Sequence, residues 1–121
     1  MIVDDYAPFR QVVRTVLKPL EAEFAECASG REALNQYALF EPDIVLMDLA
    51  MAGQDGLVTT TELKARFPKA TVLILTQFDD PELRAAAQAA GAYAYVLKDN
   101  LWDLFALLGG AGGPSPQTPG T

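Results

Sequence analysis

The chain has no histidine, a single cysteine and a single tryptophan in 121 residues. Without histidine, Ser/His and Cys/His nucleophilic catalysis is excluded, and the commonest protein ligand for transition metals is missing as well. Cys27 has no second cysteine to form an internal disulfide, and its apolar neighbours read as the setting of a buried, reduced thiol. Cations are also scarce: 9 Lys and Arg stand against 16 Asp and Glu, a net charge of −7. Contacts to a phosphate backbone need clustered cations, so this balance argues against nucleic-acid contact by the domain itself. No apolar run is long enough to span a membrane, and Met1-Ile2-Val3-Asp4-Asp5 lacks the basic segment of a secretion signal. The expectation is a cytoplasmic protein with no membrane contact.

What is present is the composition of one globular domain, half apolar and 21% charged. Its most informative stretch is Ile44-Val45-Leu46-Met47-Asp48, four large apolar residues without alternation that end on a carboxylate. Such a run suits a strand covered on both faces, as in the middle of a parallel sheet. In open α/β sheets the binding crevice lies beyond the carboxyl ends of the strands, which makes Asp48 the first candidate for chemistry.

Around this strand the chain alternates two periodicities. Ile2-Val3 read as a strand that ends on Asp4-Asp5. Pro8 opens a helix with Phe9, Val12, Val13, Val16, Leu17 and Leu20 on one face, ended or kinked by Pro19. Residues 23–28 alternate as a half-buried strand near a sheet edge. Ser29 and Glu32 form a capping box for a helix with Ala33, Leu34, Tyr37, Ala38 and Phe40 inward, which must stop before Pro42. Beyond Asp48, Gly53-Gln54-Asp55-Gly56 reads as a turn, and residues 57–67 as a helix of poor propensity through Thr59-Thr60-Thr61. A second buried strand, 71–76, ends on Thr76. Asp79-Asp80-Pro81 caps a helix with Leu83, Ala86, Ala87 and Ala90 inward and Gly91 at its end. A fifth strand, 93–97, leads to Lys98, and Asp99 or Asn100 caps a last helix with Leu101, Leu104, Phe105 and Leu108 inward. From Gly109 the composition turns to Gly and Pro, so residues 1–108 read as the domain and 109–121 as a linker or tail.

Five strands alternating with five helices predict a doubly wound parallel α/β sheet of the flavodoxin-like kind, strand order 2-1-3-4-5, with helices on both faces. That order sets the ends of strands 1 and 3 side by side. Asp4, Asp5 and Asp48 then converge on one crevice, joined by Thr76 and Lys98 from strands 4 and 5. Three carboxylates in a small crevice repel one another, and one pKa rises unless a cation is bound. A hard divalent ion such as Mg²⁺ is the natural partner, since it takes oxygen ligands and bridges carboxylates to phosphate. Three carboxylates, one ammonium and Mg²⁺ sum to zero charge. A carboxylate held there is a candidate nucleophile toward phosphorus, with the metal, Lys98 and the Thr76 hydroxyl placed to stabilise the transferred oxygens.

The combination of Asp4-Asp5, Asp48 within Val-Leu-Met-Asp-Leu, Thr76, and Lys98 preceded by Tyr95 resembles the receiver domain of bacterial two-component response regulators, a CheY-like superfamily. The resemblance covers residues 2–108. It implies that Asp48 accepts a phosphoryl group from a sensor histidine kinase, and that Asp4, Asp5 and Asp48 bind Mg²⁺ together with the Ala50 carbonyl. Thr76 and Tyr95 would form the switch pair, and Lys98 would be the ion-pairing lysine. Lys98-Asp99, where many receivers have Lys-Pro, resembles the LuxR/NarL-type subgroup and implies transcription as output, through a DNA-binding domain outside this chain. A homodimer through the fourth helix, fifth strand and fifth helix is a further expectation, using Leu101, Trp102 and Phe105. Three features depart from the pattern: a first strand with fewer residues before the acids, as though the chain began inside it, Ala52 in place of a proline, and Gln77 where a smaller residue is common.

Two other classes stay open at this level. A phosphatase with an aspartyl-phosphate intermediate would need a general acid two residues on, where Asp48-Leu49-Ala50 has none. A nucleotide-binding domain would need a glycine-rich phosphate loop after the first strand, which is absent. A milder alternative is a receiver that works unphosphorylated as a docking surface.

Overall fold

The structure, a computed structural model, describes residues 1–51 and 54–109. The expectations for Ala52, Gly53 and residues 110–121 lie outside the described residues. In chain order the elements are β1 (Ile2–Val3), α1 (Ala7–Leu17) with a 3₁₀ turn at Lys18–Leu20, β2 (Glu26–Cys27), α2 (Gly30–Phe40), β3 (Val45–Met47), β4 (Ala50–Met51), β5 (Gln54–Asp55), α3 (Gly56–Arg66), β6 (Val72–Thr76), α4 (Pro81–Ala89), β7 (Ala94–Leu97) and α5 (Leu101–Leu107). The main sheet has the order β2-β1-β3-β6-β7 with every pairing parallel. Leaving aside the small antiparallel pair β4-β5, this is the expected 2-1-3-4-5 arrangement.

The strands sort their side chains by the period of two that a pleated backbone imposes. Val45 and Met47 of β3, with Val72 and Ile74 of β6, face a core layer completed by Ala33 of α2, Leu63 of α3 and Ala87 of α4. Leu46, Leu73 and Leu75 face the opposite layer, where Val13 and Leu17 of α1 meet Leu104 and Phe105 of α5. A continuous apolar run is thus divided between two cores, which is why β3 and β6 show no polar alternation.

Several local expectations change. Val12 is 46% exposed, because α1 turns Val13 and Leu17 squarely onto the sheet and one residue is a rotation of about 100°. Ala38 and Ala86 likewise face outward. The edge strand shrinks to Glu26–Cys27, although the Ala25 and Cys27 carbonyls still accept from Ile2 and Asp4. In the capping box the Ser29 hydroxyl accepts from Glu32 N–H at 3.2 Å, while the Glu32 carboxylate reaches back to Ala28 N–H at 2.9 Å. Asn100 stands at the α5 N-cap but donates its amide to Asp103 instead of accepting from the backbone. Phe105 is buried and Leu101 packs on the same core, which leaves Trp102 as the exposed member of the expected surface trio, edge-to-face with Phe105.

The poorly helical threonine run is stabilised locally. Thr59, Thr60 and Thr61 each donate a hydroxyl to the carbonyl four residues back, at 3.2, 2.8 and 3.1 Å, so the buried Thr59 and Thr60 carry no unmet donor. Asp55 caps this helix by accepting from Leu57 N–H at 2.8 Å. The pairing of Ala50–Met51 with Gln54–Asp55 brings the helix start back under the end of β3. Gly56 makes that return feasible, since a Cβ there would lie 2.0 Å from the Asp48 carbonyl oxygen. Gly56→Ala is therefore expected to destabilise the fold by about 3 kcal/mol, as overpacking against immobile backbone does. Urea unfolding measures this, and a loss within error would show that the β3–α3 connection yields.

Candidate functional site

Register alone brings the acids together. Val3 pairs with Met47 in the parallel ladder, and the next residue on each strand is an aspartate. Asp48 N–H donates to Val3 C=O at 2.9 Å, and Asp4 N–H to Cys27 C=O at 3.0 Å, so both backbones are still held by the sheet where the side chains leave it. Asp4 and Asp48 are almost fully buried and Asp5 is exposed, yet one carboxylate oxygen from each lies within 4.8 Å of the others.

Lys98 enters from two strands away. Its N–H donates to Thr76 C=O at 2.7 Å, which anchors the residue after β7, and its side chain crosses the end of β6. There Nζ lies 2.8 Å from Asp4 Oδ2 and 3.4 Å from Asp48 Oδ1. The Phe9 ring completes the ammonium's surroundings, with its centroid 4.4 Å from Nζ. Asp4 spends its other oxygen on Tyr6 N–H at 2.9 Å, so it serves the turn into α1 as well as the crevice. The residue that closes the turn into α1 also lines the crevice.

The electrostatics follow from this geometry. Burial raises the Asp48 carboxyl above the usual carboxylate range and the nearby Asp4 raises it further, while Lys98 and a hydrogen bond from the Ala50 backbone offset part of the rise. Three carboxylates against one ammonium leave two negative charges in a crevice of hard oxygen donors. That donor set fits a divalent ion such as Mg²⁺ and suits soft-ligand metals poorly.

Thr76 and Tyr95 do not join the carboxylates. Thr76 is wholly buried at the end of β6, and its Oγ1 accepts from Phe78 N–H at 3.3 Å. The Tyr95 hydroxyl donates to the Phe78 carbonyl at 2.6 Å, with the Arg84 guanidinium 4.6 Å over its ring. Arg84 is held in turn by Asp79 at 3.1 Å. One residue, Phe78, thus connects the two through its own backbone. Sequence reasoning missed Phe9 and Phe78 as parts of this region, because neither carries a polar side chain. It read Gly56 only as a turn residue. The spacing of Phe9, one helical turn past the acidic pair, was the available signal.

Comparison with known proteins agrees with this architecture. The family described as response regulator receiver domain matches residues 1–108. The oxygen regulatory protein NreC of Staphylococcus aureus is 37% identical over 103 residues, which cover 82% of this chain and 47% of NreC. The chain therefore spans about half the length of the curated relatives it matches. Among solved structures, a LuxR-family two-component response regulator from Aurantimonas sp. SI85-9A1 superposes with a TM-score of 0.78 at 31% identity, covering 98% of this chain and 90% of that one. The signal receiver domain of NarL from Mycobacterium tuberculosis gives 0.75 at 28%, covering 81% of each chain. A CheY-like receiver from Methanospirillum hungatei shares the fold with a TM-score of 0.81 at 22% identity, covering 88% of this chain and 86% of that one.

The raised Asp48 carboxyl has a consequence for stability. A carboxyl whose pKa is higher folded than unfolded binds more protons in the folded state, so stability falls as pH rises from the unfolded value through the folded one. Asp48→Asn removes that penalty. In chelator-containing buffer the variant should melt higher than wild type at neutral pH, with the advantage fading as the pH is lowered toward about 4. Thermal melts across this range test it, and a difference independent of pH would contradict the assigned cause.

Proposed function

The chain belongs to the response regulator receiver domain family, and on that premise we propose that Asp48 accepts a phosphoryl group from a sensor histidine kinase. The observation that carries the reading is the buried Asp48 carboxylate at the end of the central strand, flanked by Asp4 and bridged by Lys98 at 3.4 Å. Asp48 is the nucleophile: a carboxylate oxygen forms a bond to phosphorus as the P–N bond of the kinase phosphohistidine breaks, and the electron pair leaves with the imidazole nitrogen. Lys98 counters the charge that the phosphoryl group brings beside Asp4. Asp4, Asp5 and Asp48, with the Ala50 carbonyl, would hold Mg²⁺, which neutralises charge on the phosphoryl oxygens when bound. Slow hydrolysis by water returns inorganic phosphate and the free carboxylate, so the domain acts as a signalling phosphoacceptor with no separate substrate.

The signal leaves through Thr76 and Tyr95. Phosphoryl oxygen accepts from the Thr76 hydroxyl and draws it toward Asp48, away from the Phe78 N–H that donates to it, and a displaced Phe78 loosens its carbonyl's hold on Tyr95. The packing of α4, β7 and α5 then shifts between two states, and that face is the proposed homodimer surface. Relatives of the LuxR/NarL type support a transcriptional output through a DNA-binding domain following a linker at 109–121, with residues 1–108 as the receiver. The surplus of 16 acidic over 9 basic residues leaves DNA contact to that other domain. The proposed location is cytoplasmic. No helix among the described residues is long and apolar enough to cross a membrane.

Incubation with Mg²⁺ and acetyl phosphate is expected to add one phosphoryl group to wild type and none to Asp48→Asn, read by intact-mass spectrometry. Lys98→Ala should slow labelling by roughly a hundredfold. Equal labelling of wild type and Asp48→Asn would place the acceptor elsewhere, and rapid turnover of unrelated phosphate esters would favour a phosphatase. Beryllofluoride, a phosphoryl mimic, is expected to promote self-association in sedimentation and to lose that effect in Tyr95→Ala. Association indifferent to the mimic would remove α4, β7 and α5 as the output face of the isolated domain.

A further inference from the structure

We propose that Arg10 is a positioning residue for the acidic pair: its guanidinium holds the Asp4 carbonyl and so sets where Asp5 presents its carboxylate. The inference rests on the cation-site reading above and deepens it.

Arg10 Nη1 donates to the Asp4 carbonyl at 2.5 Å, while Nε donates to Glu26 Oε1 at 2.8 Å. One planar fork on α1 therefore joins the end of β1 to the edge strand β2. The arrangement is anchored at its far side, since Arg14 lies 3.2 Å from the other Glu26 oxygen and stacks 5.0 Å over the Phe24 ring. The Arg10 side chain is only 16% exposed, unlike an ordinary surface ion pair.

Asp4 is consequently held at every polar atom it owns. Its N–H binds Cys27 C=O, its carboxylate binds Tyr6 N–H and Lys98, and its carbonyl binds Arg10. The Asp4–Asp5 peptide is planar, so fixing its carbonyl end fixes the plane from which Asp5 departs. Asp5 is the first residue past the sheet ladder and the exposed member of the three acids. A lysine in place of Arg10 would keep the charge but not the two-point fork that spans Asp4 and Glu26.

The sign of one measurement separates positioning from mere charge. A guanidinium seated on the Asp4 carbonyl, next to the acidic crevice, repels a further cation, so if Arg10 acted only through its field, removing it would tighten Mg²⁺ binding. If it positions Asp5, removing it weakens binding. Calorimetric Mg²⁺ titration of wild type, Arg10→Gln, Arg10→Lys and Glu26→Gln reads this, together with the ¹⁵N NMR signal of the Asp5 amide in metal-free protein and the melting temperature. The expected result is an affinity about tenfold lower in both Arg10 variants, as for outer partners of metal ligands generally, and a smaller loss in Glu26→Gln. The Asp5 amide should shift in both Arg10 variants while melting stays near wild type. Tighter or unchanged binding in Arg10→Gln, full affinity in Arg10→Lys, or an unmoved Asp5 amide overturns the proposal. Wild-type protein that binds no Mg²⁺ sinks the cation-site reading itself, whereas normal wild-type binding that Arg10→Gln leaves intact overturns only this inference.

Discussion

Two carboxylates buried side by side with one ammonium between them, Asp4 and Asp48 against Lys98, are the constraint on which the rest of this structure depends. Taking such charges out of water costs several kcal/mol per ion, and only close pairing and hydrogen bonds offset it. Each offset comes from a different element. β1 and β3 must lie in register to place the acids together, β7 must end where Lys98 can cross β6, and α1 must lay Phe9 against the ammonium. A slip of one residue in any of these strands would send the side chain to the other face. The compensation remains incomplete, and this is what makes the crevice receptive. Burial and Asp4 still hold the Asp48 carboxyl above its ordinary range, so a bound cation relieves a repulsion that is already present.

The same economy governs the loop after β6. Phe78 contributes its N–H to the Thr76 hydroxyl and its carbonyl to the Tyr95 hydroxyl, so the buried strand end and a half-exposed ring on β7 meet on one residue. Arg84 stacks on that ring while paired with Asp79, which ties the first turn of α4 into the same group. The connection runs through the backbone hydrogen bonds of one residue, Phe78.

The legible parts of the sequence were those where local pattern and global fold ask for the same residue. The apolar run into Asp48 needs both faces of a sheet, Pro8 and Asp80-Pro81 start helices, and Gly91 ends one in a left-handed conformation at φ 101°. Asp4-Asp5, Asp48 and Lys98 were recognisable as one site because each follows a strand of a fold whose strand order could be argued. The illegible parts were those where a residue works through its backbone or its bulk. Phe78 acts through its N–H and C=O, Gly56 through the absence of a Cβ, and Phe9 through a ring face that periodicity assigns to the core. Val12 was misplaced for a related reason: an apolar stripe wider than the face that packs leaves its edge residues undecided until the helix docks.

The sequence by itself determined the kind of fold, the strand ends and the chemical types gathered there, because hydrophobic period and helix punctuation are local properties written in consecutive residues. Only the tertiary structure decided how those types combine. It spent one oxygen of Asp4 on Tyr6 and the other on Lys98, brought Arg10 onto the Asp4 carbonyl and linked Thr76 to Tyr95 through the single residue Phe78. Those pairings depend on register and helix rotation across elements many residues apart, and distances of that kind have no counterpart in the order of the chain.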